Sequence, residues 1–377
     1  MSQNIQFYYL KTGNGHLAPA KAIAKNMSEK FGSTIKTELV DGLENANRAA
    51  KYIIEDGYRN SINNATWVFE SLYALHKIKV ISRITAYIVS VFVKPYIEQK
   101  ILQSRPDKII ILHFFLIKPI HEIVKKHHLE TPIITVVTDP FTAHPIWFLN
   151  PHSQFIVFSE SLKKSAVSKG INPSATTVFP FILDSNYTER FSTETVFEKK
   201  AEFGFDIQKK IILVIGGGEG IPKGASIAES IRLLKADAEV VFVCGRNERL
   251  KNKVLQIKNK YKLDNLTVFG YIDFVHTLLN ISDIVVTKCG ASTFMEILMA
   301  QKIPVISNYI WEQEKGNMEY VRDNNMGIYE KRVHKLPQLL DQLLMNNQLY
   351  DAFVSNIHRQ NIRNGTDAVS HYIACAT

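Results

Sequence analysis

Cysteine is scarce in this chain. Three occur in 377 residues, Cys244, Cys289 and Cys375, and no two form a Cys-x-x-Cys pair. Neither a disulfide framework nor a thiolate zinc site is expected, and a reducing cytoplasm is the expected compartment. Long apolar runs are also missing. No stretch reaches the ~18 uninterrupted apolar residues of a membrane-spanning helix. The first residues, MSQNIQFYYLKTGNGH, lack the basic start and long apolar core of a secretion signal. No tandem repeat recurs at a spacing of roughly 20–50 residues. Only 18 glycines and 13 prolines, with 46% hydrophobic and 21% charged residues, exclude a collagen-like, disordered or low-complexity polymer.

At roughly 100–200 residues per domain, the length predicts two domains. The net charge of +9 is unevenly spread. Residues 1–190 hold 22 Lys and Arg against 15 Asp and Glu, whereas residues 191–377 hold 23 against 21. The basic excess lies in the first half, which suits an anionic surface such as a membrane or an acidic ligand. Nucleic-acid binding has only this charge in its favour, and none is expected.

Strand-like and helix-like segments alternate, which predicts parallel sheets. Ile5–Leu10 reads as a strand, Leu17–Phe31 as a helix with Pro19 in its first turn, and Ile35–Val40 as a second strand. Residues 108–113, 132–138 and 154–159 are further strands. Asp184–Lys200 is polar and reads as a linker. Alternation then restarts at 210–215, 239–244, 266–270, 283–287 and 302–307. The expectation is an α/β chain with a first domain over 1–187, a second over 200–350 and a helical tail over 351–377.

Residues 67–105 stand apart. Trp67, Ile84, Tyr87, Ile88, Val91 and Phe92 belong to a dense apolar set interleaved with Lys77, Lys79, Arg83, Lys94 and Lys100. A basic amphipathic helix can lie in a membrane interface, its apolar face buried and its cations against anionic lipid. Trp67, Lys77, Lys79, Arg83 and Phe92 are the expected membrane contacts. The same pattern also fits a helical insertion packed on its own domain.

Three glycine-bearing turns follow strands. Gly13-Asn-Gly15-His16-Leu-Ala18 fits the G-x-G-x-x-A pattern, with Glu38 and Asp41 downstream, and alone reads as a dinucleotide fingerprint. Gly216-Gly217-Gly218-Glu219-Gly220 lets backbone N–H groups approach a ligand. In Lys288-Cys289-Gly290-Ala291-Ser292-Thr293, Ser292 or Thr293 is expected to cap a helix whose first N–H groups face a diphosphate. Glu296 lies one turn beyond Ser292, placed for a ribose diol. Gln313 and Glu314 follow another strand end and suit sugar hydroxyls.

Taken in order, TGNGHLAPAKAI, TVVTDPFTAHPIWF at 135–148, GGGEG at 216–220, CGRNERLKNKV at 244–254 and the long block at 268–321 resemble the diacylglycerol glycosyltransferases. That family includes the plant monogalactosyldiacylglycerol synthases and bacterial glucosyl counterparts, and is more distantly similar to the peptidoglycan N-acetylglucosaminyl transferase. The resemblance covers about 320 residues. It implies a GT-B fold, two Rossmann-like domains facing across a cleft, with a UDP-sugar held by the second domain and the acceptor by the first. Donor roles fall on Gly217, Gly218, Glu219, Gly220, Arg246, Asn247, Lys288, Gly290, Ala291, Ser292, Thr293, Glu296, Gln313, Glu314 and Asn317. His16 and Asp139 are implied at the reaction centre, and Gly15, His144 and Trp147 beside the acceptor. The chain departs from the family at Asn14, at Ala143 and in the stretch Ile-Leu-His113-Phe-Phe.

Such a transfer needs a deprotonated hydroxyl and a stabilised diphosphate. No Asp-x-Asp pair is present, so no divalent metal or permanent cofactor is expected, and helix N–H groups with Lys288 or Arg246 would carry the charge. His16 at a helix start would stay neutral and act as base, with Asp139 orienting it. The expected partners are UDP-glucose or UDP-galactose, diacylglycerol or a glycolipid, and an anionic membrane met peripherally from the cytoplasmic side. The alternatives are a UDP-sugar 2-epimerase, transfer to a different lipid, or a non-catalytic nucleotide-sugar-binding protein.

Overall fold

The computed structural model describes residues 2–11, 14–45, 51–52, 79–310 and 312–376. The chain forms two compact units: residues 1–184 with 310–313 and 364–377, and residues 185–309 with 314–363.

The first unit runs β1 (Gln3–Tyr9), α1 (Asn14–Phe31), β2 (Ile35–Asp41), α2 (Lys79–Ser104), β3 (Lys108–Ile111), α3 (Phe114–Lys126), β4 (Ile133–Val136), β5 (Gln154–Val157), α4 (Glu160–Ser168) and β6 (Thr176–Val178). Its six strands are all parallel, in the order β2-β1-β3-β4-β5-β6. Ile109, Ile110 and Ile111 are wholly buried, as the unbroken apolar run of a two-sided parallel strand requires. Gln6 is the buried polar exception on β1. Its amide donates to Glu38 Oε2 at 2.6 Å and Ser104 Oγ at 2.8 Å, and its Oε1 accepts from Tyr8 at 2.7 Å. Glu38 also pairs with Lys100 at 3.0 Å. Glu38 is therefore held inside the sheet network and does not serve the dinucleotide role that the first glycine motif alone suggests.

The first α-helix of the second unit, α5 (Thr193–Glu202), starts inside the segment read as a linker and runs two residues beyond it. Next come β7 (Lys210–Ile215), α6 (Gly224–Ile231), β8 (Ala238–Val243), α7 (Glu248–Tyr261), β9 (Leu266–Phe269), α8 (Val275–Ile281) and β10 (Ile284–Lys288). It ends with α9 (Ala291–Met299), β11 (Ile303–Asn308), α10 (Lys315–Asp323), β12 (Ile328–Tyr329), α11 (Leu336–Met345) and α12 (Asn347–Arg359). Its parallel sheet has the order β12-β11-β10-β7-β8-β9.

The residues read as a tail divide between the units. The last helix, α13 (Thr366–Cys375), joins the first unit. Gly365 N donates to Phe181 O at 2.8 Å and Thr366 Oγ1 to Leu183 O at 2.7 Å. Buried Lys108 at the start of β3 donates to the carbonyls of Ile373 and Ala374, each at 2.8 Å. These belong to the last turn of α13, whose carbonyls have no intrahelical donor.

α2 is apolar on two faces. Ala86, Val89, Val93, Ile97 and Ile101 are buried, while Val80, Ile84, Tyr87, Ile88 and Val91 recur at helical spacing on the outside, each more than half exposed. Among the described residues no helix is long and apolar enough to cross a membrane.

Replacing Lys108 with Met should remove two charge-assisted hydrogen bonds, one to the buried carbonyl of Ile373 and one to the partly buried carbonyl of Ala374. The expected loss is about 1.5–3 kcal/mol of unfolding free energy in urea. An unchanged midpoint and slope would show that α13 is not held by this lysine.

Candidate functional site: loops at two sheet reversals

Each sheet has one point at which its strand order reverses. In the first it lies between β1 and β3, because β2 adds on one side of β1 and β3 on the other. In the second it lies between β7 and β10. Connections diverge there, leaving the carboxyl ends of the two strands open as a crevice for ligands.

The first reversal brings His16 and His113 together, with ring centroids 4.4 Å apart. His16 lies in the first turn of α1, which starts at Asn14, before the expected Leu17. Pro19 is consequently inside the helix and not in its opening turn. His113 follows β3 and caps α3, its Nδ1 accepting from Phe115 N at 3.3 Å. A ring nitrogen that accepts is unprotonated, so His113 carries its proton on Nε2. Phe114 and Trp147 close the cluster, with centroids 6.4 and 6.1 Å from His16.

Desolvation among these rings lowers the His16 pKa from 6.5 to about 4, and a hydrogen bond to the Leu112 backbone offsets part of the drop. The imidazole is neutral, as expected, but burial is the principal cause and not the helix terminus. His113 is lowered well below its usual value, by burial and then by His16. His16 Nδ1 pairs with Thr138 Oγ1 at 2.9 Å. Asp139 Oδ2 accepts from the Trp147 indole at 3.1 Å. The group on His16 is thus a threonine hydroxyl, and Asp139 orients Trp147. Trp147 is wholly buried, which places it in the core wall. His144 is also buried, and its Nδ1 accepts from Ile146 N at 3.1 Å to cap a short 3-10 turn over Pro145–Phe148. Among the described residues, and apart from its chain neighbours and its own helix backbone, no atom lies within 4 Å of a Cβ placed on Gly15.

At the second reversal, three loops converge. Gly217 and Gly220 have φ of +87° and +78°, and Gly220 N closes the turn on Gly217 O at 3.1 Å. Arg246 N donates to Gly218 O at 2.7 Å, and a Cβ at Gly245, φ +62°, would lie 2.4 Å from that same oxygen. Only glycine permits this approach. Asn247 Oδ1 caps α7 through Leu250 N at 2.9 Å, so its side chain is structural. Glu219 is exposed beside it. The Arg246 guanidinium packs on the exposed ring of Tyr271, 4.1 Å from its centroid.

The third loop differs from expectation in its cap. The N-cap of α9 is Gly290, with no side-chain cap bond, and the helix begins at Ala291, so Ser292 and Thr293 fall inside the first turn. Gly290 has no side chain to cap the opening N–H groups of α9, and among the described residues no other side chain is seen to cap them. Thr293 Oγ1 lies 4.0 Å from a Cβ placed on Gly217. Ser292 Oγ is buried without a hydrogen-bond partner among the described residues, and so is Oδ1 of Asn317, whose Nδ2 donates to Cys289 O at 2.8 Å. Buried polar atoms are seldom left unmatched, and Ser292 on α9 and Asn317 on α10 each hold hydrogen-bonding capacity that no described residue uses. Lys288 Nζ pairs with Glu314 Oε1 at 3.0 Å. Glu296 follows one turn beyond Ser292 and is partly buried. Gln313 belongs to the first unit, where its carbonyl accepts from Thr142 Oγ1 at 3.3 Å. Burial raises the Cys289 thiol well above its usual value and Cys244 to about 11, so neither is a nucleophile. Among the described residues no cluster of His, Cys, Asp and Glu could hold a metal ion.

Of the membrane-contact residues, Trp67 and Lys77 lie outside the described residues. Lys79 opens α2, Arg83 is exposed and Phe92 is 41% exposed. The sequence reading missed His113, Thr138, Phe114 and Tyr271. Only the adjacency of β1 and β3 reveals His113 as a neighbour of His16.

Residues 16–180 match the monogalactosyldiacylglycerol synthase family, and residues 211–362 match the C-terminal domain of glycosyltransferase family 28. A chloroplastic monogalactosyldiacylglycerol synthase from Spinacia oleracea is 26% identical over 88% of this chain and 64% of its own length. The chain thus spans less than two-thirds of that plant relative. A processive diacylglycerol beta-glucosyltransferase from Bacillus licheniformis is 24% identical over 98% of this chain and 94% of its own. Among solved structures, a glycosyltransferase from Rickettsia africae superposes with a TM-score of 0.63 at 14% identity, covering all of both chains. Anabaena HepE in complex with UDP gives 0.61 at 12%, covering 99% of this chain and 98% of its own.

Burial of His16 sets a pH dependence. Its native pKa lies below the unfolded value, so the unfolded chain binds the extra proton first and stability falls as pH drops from about 6.5 toward about 4. His113 and His121, the latter lowered to about 4, act in the same direction. The urea midpoint should decline through that window, and His16→Gln should flatten part of the slope. A midpoint constant from pH 7 to about 4.5 would contradict the buried neutral imidazoles. Residues 16–180 thus match the monogalactosyldiacylglycerol synthase family and residues 211–362 the C-terminal domain of glycosyltransferase family 28, and the chain carries the two parallel six-stranded sheets of the GT-B fold.

Proposed function

We propose that this protein is an inverting glycosyltransferase that moves a hexose from a UDP-sugar to the hydroxyl of diacylglycerol, or a related glycolipid, at a membrane surface. The observation that carries the reading is a neutral, desolvated His16 at the β1/β3 reversal, inside the segment that matches the monogalactosyldiacylglycerol synthase family. Ser292 Oγ on α9 and Asn317 Oδ1 on α10, buried without a hydrogen-bond partner among the described residues, support the donor half.

In this reading His16 takes the proton of the acceptor hydroxyl as its oxygen attacks the anomeric carbon, and UDP departs with the bonding electrons. The N–H groups of α9 and the Lys288 ammonium meet the charge developing on the diphosphate. Glu296 accepts from the ribose diol. His113, fixed as the Nε2–H tautomer, packs against the base without competing for its proton. Charge stabilisation here uses the chain's own donors, and the proposal includes no resident cofactor.

His16→Ala should cut transfer by about 10²–10⁴-fold while leaving UDP affinity within about twofold, since the base lies in the other unit from the donor loops. In the parent, the acid limb of kcat/KM should fall nearer pH 4 than 6.5. Turnover by the variant near the parent's would remove His16 from the chemistry.

The membrane part of the proposal rests on α2. Its outward stripe of Val80, Ile84, Tyr87, Ile88 and Val91 is exposed apolar surface of the kind that enters an acyl boundary, with Arg83 exposed alongside for lipid phosphates. The side of the membrane is proposed to be cytoplasmic. Changing Ile84 and Ile88 together to Ser should release the protein from anionic vesicles without altering its unfolding midpoint, since both face solvent. Undiminished co-sedimentation of the double variant would mean that α2 does not dock.

A further inference from the structure

The Lys288–Glu314 pair occupies the place where the donor reading puts a diphosphate. The β10–β11 register shifts between Thr287 and Lys288, and such an irregularity re-aims the side chain at a strand end. A Cβ added to Gly290, the N-cap of α9, would lie 3.0 Å from Lys288 Nζ and 3.4 Å from Glu314 Oε1. The ammonium and carboxylate therefore lie directly over the helix start. Glu314 is 6% exposed and itself precedes α10, a position that favours a carboxylate. Beside the pair are two buried atoms with no partner among the described residues, Ser292 Oγ and Asn317 Oδ1, and Asn317 is 2% exposed.

In this arrangement the cation that a diphosphate needs is already neutralised. A nucleotide at the start of α9 brings negative charge within a few ångströms of Glu314, and the two anions then compete for one ammonium. UDP offers the carboxylate nothing in return. A UDP-hexose offers sugar hydroxyls, each able to donate to a group that can only accept. We propose that Glu314 is a latch on Lys288 that favours the intact sugar nucleotide over UDP: the diphosphate draws Lys288 away, and the hexose hydroxyls satisfy the carboxylate left behind. Once the sugar has gone, Glu314 reclaims Lys288 and UDP is expelled. Glu314 thus sets both donor recognition and product release. The inference rests on the reading of this loop as a nucleotide-sugar site.

Calorimetric titration of the full chain with UDP, UDP-glucose and UDP-galactose at one pH and ionic strength tests it. The parent should bind one of the UDP-hexoses at least roughly tenfold more tightly than UDP. Glu314→Gln, which removes the competing charge and keeps the shape, should bind UDP severalfold more tightly than the parent and lose most of the preference. Lys288→Met should weaken every nucleotide but widen the preference, because Glu314 then faces the diphosphate with no cation between them. Should Glu314→Gln fail to fold, the Lys288→Met ratio still decides. Equal losses for UDP and UDP-hexose in Glu314→Gln, or an unchanged ratio in Lys288→Met, would overturn the latch. If the parent binds none of the three nucleotides, the nucleotide-sugar reading itself falls.

Discussion

Strand order decides where chemistry can occur in this protein. In each sheet the crossover connections change direction once, between β1 and β3 in one and between β7 and β10 in the other. Helices must cover both faces of a parallel sheet, and at a change of direction the covering connections part. The residues that end those four strands are therefore the ones left to meet a ligand. His16 and His113 stand at one reversal. The Gly216–Gly220 turn and the Lys288–Gly290 loop stand at the other. The buried isoleucines of β3 anchor one of these strands in the core, and Lys108 at its start ties it to α13.

The two reversals are built with opposite electrostatics. The first is walled by aromatic rings, and its imidazoles are held neutral by loss of water. The second is lined by backbone N–H groups, an ammonium and two buried oxygens that have no hydrogen-bond partner among the described residues. A dry wall around a neutral base suits an acceptor with an apolar body and one hydroxyl. A polar helix start beside a cation suits a diphosphate. The proposed division of labour between the halves of the chain rests on this contrast in solvation as much as on the family matches.

Much of this could be read from residues alone, and the exceptions have physical causes. The glycine turns were legible because they follow apolar runs, and the parallel sheets because strand and helix periods alternate. The pattern Gly-Asn-Gly reads as a turn, yet Asn14 and Gly15 already belong to α1, so the helix begins before Leu17 and includes His16. Ser292 and Thr293 looked like caps because hydroxyls favour that position, but Gly290, which has no side chain to cap with, takes it. Trp147 reads equally as an acceptor-facing ring or as core, and the structure buries it with its indole N–H donated to Asp139, 6.1 Å from the His16 ring. The pairing of Lys288 with Glu314 spans 26 positions and crosses from one strand end to the next, and no local period carries such information. The return of α13 to the first unit is similarly set by a buried lysine far away in sequence.

The central claim is transfer of a hexose to a lipid hydroxyl, and the most direct test is to follow the sugar. Purified protein would be given diacylglycerol in mixed vesicles with UDP-glucose or UDP-galactose labelled in the hexose, and the organic phase counted after extraction. The account predicts label in the lipid phase that depends on diacylglycerol and on one of the two donors, with UDP released in equal amount. Conversion of the sugar nucleotide without an acceptor, or no label in lipid from either donor, would contradict it.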